Sequence, residues 1–161
     1  KSSGIFDGYY KSPELTKVAF DENGFYRSGD LFEIAGEGEL FPYYKFIGRC
    51  RELIIRGGMN IAPVEIDHLL SDHPLILDMA AFGYPDERLG EKIGVAIVGK
   101  SGQALSLEQI VEYLRNKKIA VFKLPQKVLM LDEIPRNAMM KVSRYRLTEL
   151  SVANDLAKES V

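Results

Sequence analysis

Two adjacent glycines, Gly57-Gly58, separate the apolar run Leu53-Ile54-Ile55-Arg56 from Met59-Asn60-Ile61. Paired glycines supply the positive φ angles that a two-residue turn demands, so this stretch predicts a tight hairpin. Pro63 follows at once and suits the first position of a helix, which carries Ile66, Leu69 and Leu70 on one face and stops near His73-Pro74. A hairpin that runs straight into an amphipathic helix has apolar faces it cannot bury by itself, so further elements must come from downstream.

Leu77 to Gly83 and Ile93 to Val98 read as buried strands. Leu107, Ile110, Val111 and Leu114 recur at helical spacing, and Ser106 with Gln109 forms a capping-box pair in front of them. Lys127 to Leu131 reads as another strand, then comes a Pro135-Arg136-Asn137 turn, and a last helix is expected from about Ser143 with Leu147 and Leu150 facing inward. These elements predict an α+β fold, a small sheet with packed helices.

Residues 1 to about 50 have a different texture, rich in glycine and aromatics. Short strand-like pieces at Gly4 to Tyr10, Gly24 to Arg27 and Tyr43 to Ile47 are separated by turn signals such as Glu22-Asn23-Gly24. This β-rich segment has few long apolar side chains to bury and is expected to need a partner surface. The division is therefore 1–50 and 51–161, and the opening Lys1, joined directly to folded-looking sequence, is what a piece of a longer chain would show.

Composition narrows the functions open to such a chain. With 21 basic and 23 acidic residues the formal net charge is -2, so no global field collects nucleic acid or anionic membrane. The single cysteine, Cys50, can form neither an internal disulfide nor a thiolate metal site, which makes a cytoplasmic setting the expectation. No apolar run reaches membrane-spanning length. Lys123, Lys127, Arg136, Arg144 and Arg146 make a local basic cluster suited to phosphates or to a solvated face. No aromatic stacking pair or nucleic-acid signature accompanies it, which argues against RNA or DNA as a partner.

Four segments stand in fixed order: Tyr26-Arg27-Ser28-Gly29-Asp30; Gly48-Arg49-Cys50-Arg51-Glu52-Leu53-Ile54; Gly57-Gly58 with Pro63-Val64-Glu65-Ile66-Asp67; and Pro135-Arg136-Asn137-Ala138-Met139-Met140-Lys141. Gly8-Tyr9-Tyr10 with Thr16, Gly83-Tyr84-Pro85-Asp86 with Gly90-Glu91, and Phe122-Lys123-Leu124-Pro125 add to them. In this order and spacing the chain resembles the last third of the adenylate-forming (AMP-binding) superfamily, which includes acyl-CoA synthetases and other AMP-dependent acid:CoA ligases. The resemblance implies that residues 51–161 are a C-terminal lid domain and that residues 1–50 are the trailing edge of a large N-terminal domain. It also implies ATP, Mg2+ and coenzyme A as cofactors, and a carboxylic acid as substrate.

By the same resemblance, Asp30 would hold the ribose hydroxyls of ATP and of the adenylate, with Arg49 near the same ribose. An Asx-type turn residue and a surface ion pair are the plainer readings of those two positions. Arg51 falls at the family's hinge, a place for a polar residue whose backbone absorbs a large torsional change. Gly58 would line the channel for the pantetheine arm, or serve only the turn. Lys141 is implied to be catalytic, bringing positive charge to the α-phosphate during adenylation. The residue before it departs from the family, for Met140 stands where relatives carry glycine. That departure also motivates an alternative, a stand-alone binding or interaction module that keeps the lid fold without catalysis.

Overall fold

A computed structural model describes residues 4–36 and 43–159, and Lys1 lies outside them. The chain divides into two compact units, Lys1–Arg51 and Glu52–Val161.

In the first unit a short helix, α1 (Pro13–Ala19), buries none of its residues and is held locally, the Thr16 hydroxyl donating to the Ser12 carbonyl and accepting from the Tyr9 amide. Strands β1 (Asp30–Ala35) and β2 (Tyr43–Arg49) pair antiparallel with Asp30 opposite Arg49, and a register shift separates Leu31 from Phe32. Phe6, Tyr9, Phe20 and Tyr26 gather into a ring cluster. Of the three expected strand-like pieces, Tyr43 to Ile47 lies in β2, Gly24 to Arg27 contributes only a bridge between Tyr26 and Phe20, and Gly4 to Tyr10 is irregular. Phe32, Ile34, Tyr43, Tyr44 and Phe46 all remain exposed on the hairpin within this unit, as a two-stranded ribbon without a covering layer must leave them.

The second unit is built on the expected hairpin, β3 (Ile54–Arg56) and β4 (Met59–Ile61). Gly57 and Gly58 have φ of 57° and 80°, the pair of positive values a two-residue turn requires. Helix α2 (Pro63–Leu70) follows with Pro63 in its first turn and with Pro63, Ile66 and Leu70 buried. Long strands β5 (Ile76–Asp86) and β6 (Gly90–Gly99) pair antiparallel, with a register shift between Ile76 and Asp78. The other edge of β6 meets β3 where Arg56 faces Gly90, then takes β7 (Lys127–Met130) in parallel. Helix α3 (Leu107–Asn116) starts at the expected capping box, and α4 (Arg144–Glu159) is the last described element.

Side-chain alternation along β6 divides the interior in two. Ile93, Val95 and Ile97 join Ile66 and Leu70 of α2 and Ile110 and Leu114 of α3 on one face. Ala96 and Val98 join Phe82, Leu129 and Leu147 of α4 on the other. The result is a mixed sheet between helices, the α+β arrangement expected for the lid. Gly94 is needed for it, because a Cβ there would stand 2.5 Å from the Phe82 ring. Leu150 differs from expectation: Leu147 is fully buried, whereas Leu150 is 43% exposed, because α4 turns only a narrow stripe toward the sheet. Among the described residues no helix is long and apolar enough to cross a membrane.

Candidate functional site

Asp30 opens β1 directly after Gly29, whose φ of 74° is left-handed, and the Ser28 hydroxyl accepts from the Asp30 amide at 3.1 Å. The Gly29 carbonyl accepts from the Cys50 amide at 2.8 Å, so the start of β1 and the end of β2 are fastened side by side. Asp30 Oδ1 lies 3.1 Å from Arg49 Nε, an ion pair whose geometry supplies no hydrogen bond to that buried oxygen. A buried carboxylate oxygen with open acceptor capacity beside a half-exposed guanidinium suits a ligand that brings hydroxyls. The neighbouring Tyr26 hydroxyl is raised above its ordinary 10.0, chiefly by its hydrogen bond with Tyr9. Arg51 is exposed within a three-residue 3-10 turn, Cys50–Glu52, and is the last residue of its unit.

Within the second unit, the space where a Gly58 side chain would project is open, with no atom within 4 Å. Arg56, beside the turn, donates from Nη1 to the Phe122 carbonyl, and Lys123 Nζ pairs with both oxygens of Glu65 at 2.7 and 2.6 Å.

Lys141 lies on a second hairpin whose strands touch at Arg136 and Val142. The Met140 amide donates to the Asn137 carbonyl at 2.9 Å and the Asn137 amide donates to the Lys141 carbonyl at 2.8 Å. This is a tight turn followed by a bulge residue, a geometry that places the bulge residue in the left-handed region and favours glycine there. Met140 has φ of 60°, so a methionine stands at a position where the backbone itself favours glycine. Asn137 Oδ1 also accepts from the Met139 amide at 2.9 Å and the Lys141 amide at 3.0 Å. Arg136 steadies the loop from outside, Nη1 donating to the Met140 carbonyl at 3.2 Å and Nη2 to Asp78 Oδ2 at 2.7 Å.

Lys141 is exposed, and among the described residues no carboxylate pairs with it. Of the basic cluster read from the sequence, Arg146 is exposed and the other four members are differently placed. Lys123 is held by Glu65, Lys127 by Asp155 and Ser151, Arg136 by Asp78, and Arg144 by Asp67 and Glu52. Those charges are neutralised inside the unit, which leaves them poor candidates for a ligand's phosphates.

Arg144 and Asp67 were not singled out as a pair by sequence reasoning. Arg144 donates to Asp67 Oδ2 at 2.8 Å and to the Ala81 carbonyl, while Asp67 Oδ1 accepts from the Ala81 amide at 2.6 Å. Burial pushes the Asp67 carboxyl above its ordinary 3.8, and the Arg144 charge opposes that rise. Their separation in sequence leaves no local signal. Asn137 did carry one, since asparagine is favoured at the first position of such a turn.

The family of "AMP-binding enzyme C-terminal domain" matches residues 65–141. Among curated relatives, the medium-chain fatty-acid–CoA ligase of Escherichia coli K12 is 36% identical over 148 residues, which cover 91% of this chain and 25% of that protein. Enterobactin synthase component E of the same organism is 42% identical over 144 residues, covering 89% and 26%. Among solved structures, ATP-bound MatB from Rhodopseudomonas palustris superposes with a TM-score of 0.80 at 34% identity, covering 93% of this chain and 29% of that one. The chain spans about a quarter of the length of the curated relatives it matches.

Proposed function

We infer the following from the premise that this chain belongs to the AMP-binding enzyme C-terminal domain family of adenylate-forming proteins. It works as the lid of an ATP-dependent acid:CoA ligase, with residues 1–50 as the trailing part of the large domain and Arg51 as the hinge. In the first reaction a carboxylate oxygen attacks the α-phosphorus of ATP, forming the acyl-adenylate and expelling pyrophosphate. In the second, the thiol of coenzyme A attacks the acyl carbonyl and AMP leaves.

The observation that carries this reading is Lys141, an exposed ammonium without a carboxylate partner, held on a hydrogen-bonded hairpin. Negative charge crowds both the attacking carboxylate and the phosphoryl group, and a positioned cation lowers that barrier. Asp30 would accept from the ribose hydroxyls through its carboxylate, whose Oδ1 has no hydrogen-bond partner, with Arg49 holding the carboxylate in place. The open space at Gly58 would let the thin pantetheine arm pass close to backbone. Mg2+ would enter with the phosphates of the nucleotide and neutralise part of their charge. A cytoplasmic setting agrees with the lone Cys50.

The test is to join this chain in frame to a large adenylate-forming domain and measure pyrophosphate release with a carboxylic acid and ATP. Lys141→Ala should slow adenylation by about 100-fold and spare thioester formation from supplied acyl-adenylate. Equal adenylation rates would remove Lys141 from the mechanism. Met140 in its left-handed conformation favours the second reading, a non-catalytic module retaining the lid fold, and that reading requires no pyrophosphate release from the joined protein at all.

A further inference from the structure

We propose that Asn137 is a positioning residue for Lys141, its side chain holding closed a loop in which Met140 takes a left-handed conformation. This rests on the proposed role of Lys141 and deepens it.

Each hydrogen-bonding group of Asn137 that faces the loop is engaged by it. The amide donates to the Lys141 carbonyl, the carbonyl accepts from the Met140 amide, and Oδ1 accepts from the amides of Met139 and Lys141. The backbone of Lys141 is thereby bound to one residue through both its N–H and its C=O. The direction in which the Lys141 side chain leaves the loop follows from where that backbone is held.

The bulge position makes the bond more important here than it would be with glycine. A side chain in the left-handed region is disfavoured relative to glycine, and Met140 is 72% exposed, with little packing to offset that cost. A loop closed by Met140 therefore relies on side-chain bonds to stay closed. Arg136 contributes from the other side, through the Met140 carbonyl and Asp78. Asn137 alone bonds to Lys141 itself among the described residues.

The experiment compares the wild type with Asn137→Ala, Asn137→Ser, Lys141→Ala, the Asn137→Ala/Lys141→Ala double variant and Asn137→Ala/Met140→Gly, all in the complete joined enzyme. Adenylation is read by acid-dependent exchange of pyrophosphate into ATP, and thioester formation separately from supplied acyl-adenylate. Asn137→Ala is expected to lower kcat for adenylation about 10-fold through misplacement of the ammonium, and to leave thioester formation unchanged. Serine, whose hydroxyl makes the same turn more weakly, should recover part of the loss. Met140→Gly should recover part of it by a different route, restoring the turn's own preference. In the Lys141→Ala background, Asn137→Ala should add nothing further. Amide exchange on the 161-residue chain should show Met139 and Lys141 protected in the wild type and unprotected in Asn137→Ala.

Equal losses in both half-reactions, independent multiplication of the two single effects, or unchanged amide protection would each overturn the proposal. A silent Asn137→Ala beside a damaging Lys141→Ala would overturn the proposal alone. A silent Lys141→Ala would overturn it together with the reading of Lys141.

Discussion

Arg144 Nη2 donates to Asp67 Oδ2 at 2.8 Å, joining the first turn of α4 to α2 across the middle of β5, at Ala81. Both side chains are largely buried, and Asp67 also receives the Ala81 amide. Removing the cation would leave a buried carboxylate without its counter-charge. Arg144→Met is expected to cost about 3 kcal/mol near neutral pH, measured by chemical denaturation. The pH dependence has a definite sign. Burial already raises the Asp67 pKa, and loss of Arg144 raises it further, so the carboxyl's folded form holds its proton more tightly than the unfolded form. Stability is then greatest below the unfolded value of 3.8 and falls as pH rises through the folded value, so the variant's deficit should shrink on acidification. A deficit that grows toward low pH would contradict this account.

Met140 offers a stabilising substitution. Replacing it by glycine relieves the left-handed penalty but gives the unfolded chain more freedom, which offsets about 0.4–1 kcal/mol of the gain. A net gain of about 0.5 kcal/mol is expected, whereas Met140→Ala, with the same Cβ and the same φ, should gain nothing. Paired denaturation curves for the two variants check it.

His73 is 8% exposed, between α2 and β5, with its ring 4.5 Å from that of Tyr113. Its Nδ1 accepts from the Leu75 amide at 3.2 Å, which only the neutral ring can do. Burial, and then the charge of Lys100, lower its pKa below the ordinary 6.5. The unfolded chain takes up the proton first as pH falls, so stability from the neutral ring is complete above 6.5 and is lost as pH drops through the folded value. His73→Asn should flatten the melting temperature against pH over that window while lowering it at neutral pH.

Gly94 has Phe82 across it, and alanine would force a Cβ to within 2.5 Å of the ring. Phe82 is fully buried among Ala80, Ala96 and Leu147, so it has little room to move. Gly94→Ala is expected to destabilise the second unit by about 2 kcal/mol. Gly58→Ala, with open space around it and φ of 80°, should cost about 1–2 kcal/mol through backbone alone. Comparing the two by thermal melting, with Phe82→Leu as a rescue of Gly94→Ala but not of Gly58→Ala, separates clash from torsion.

Local chemistry made most of the second unit legible in advance. The Gly57-Gly58 turn, the Pro63 start of α2 and the Ser106–Gln109 capping box each use neighbouring residues only, and each stands where it was expected. What escaped depends on distant partners. Strand β1 is a strand because β2 pairs with it, and α1 is a seven-residue helix held by Thr16 rather than by an apolar face. Leu150 fits the helical period but falls outside the stripe that reaches the sheet. At the candidate site, the sequence pointed to Met140 as the odd residue, and its φ gives the reason. The neutralising carboxylates Asp67, Asp78 and Asp155 lay too far along the chain from their basic partners to be paired by inspection.

The β1–β2 hairpin carries Ile34 at 71%, Tyr44 at 72% and Phe32 at 51% exposure within its own unit. Surface of that kind adheres to dyes, to vessel walls and to other copies of itself. Self-association of the 161-residue chain is therefore expected to run through its first fifty residues, and a protein starting at Glu52 is expected to stay dispersed at higher concentration.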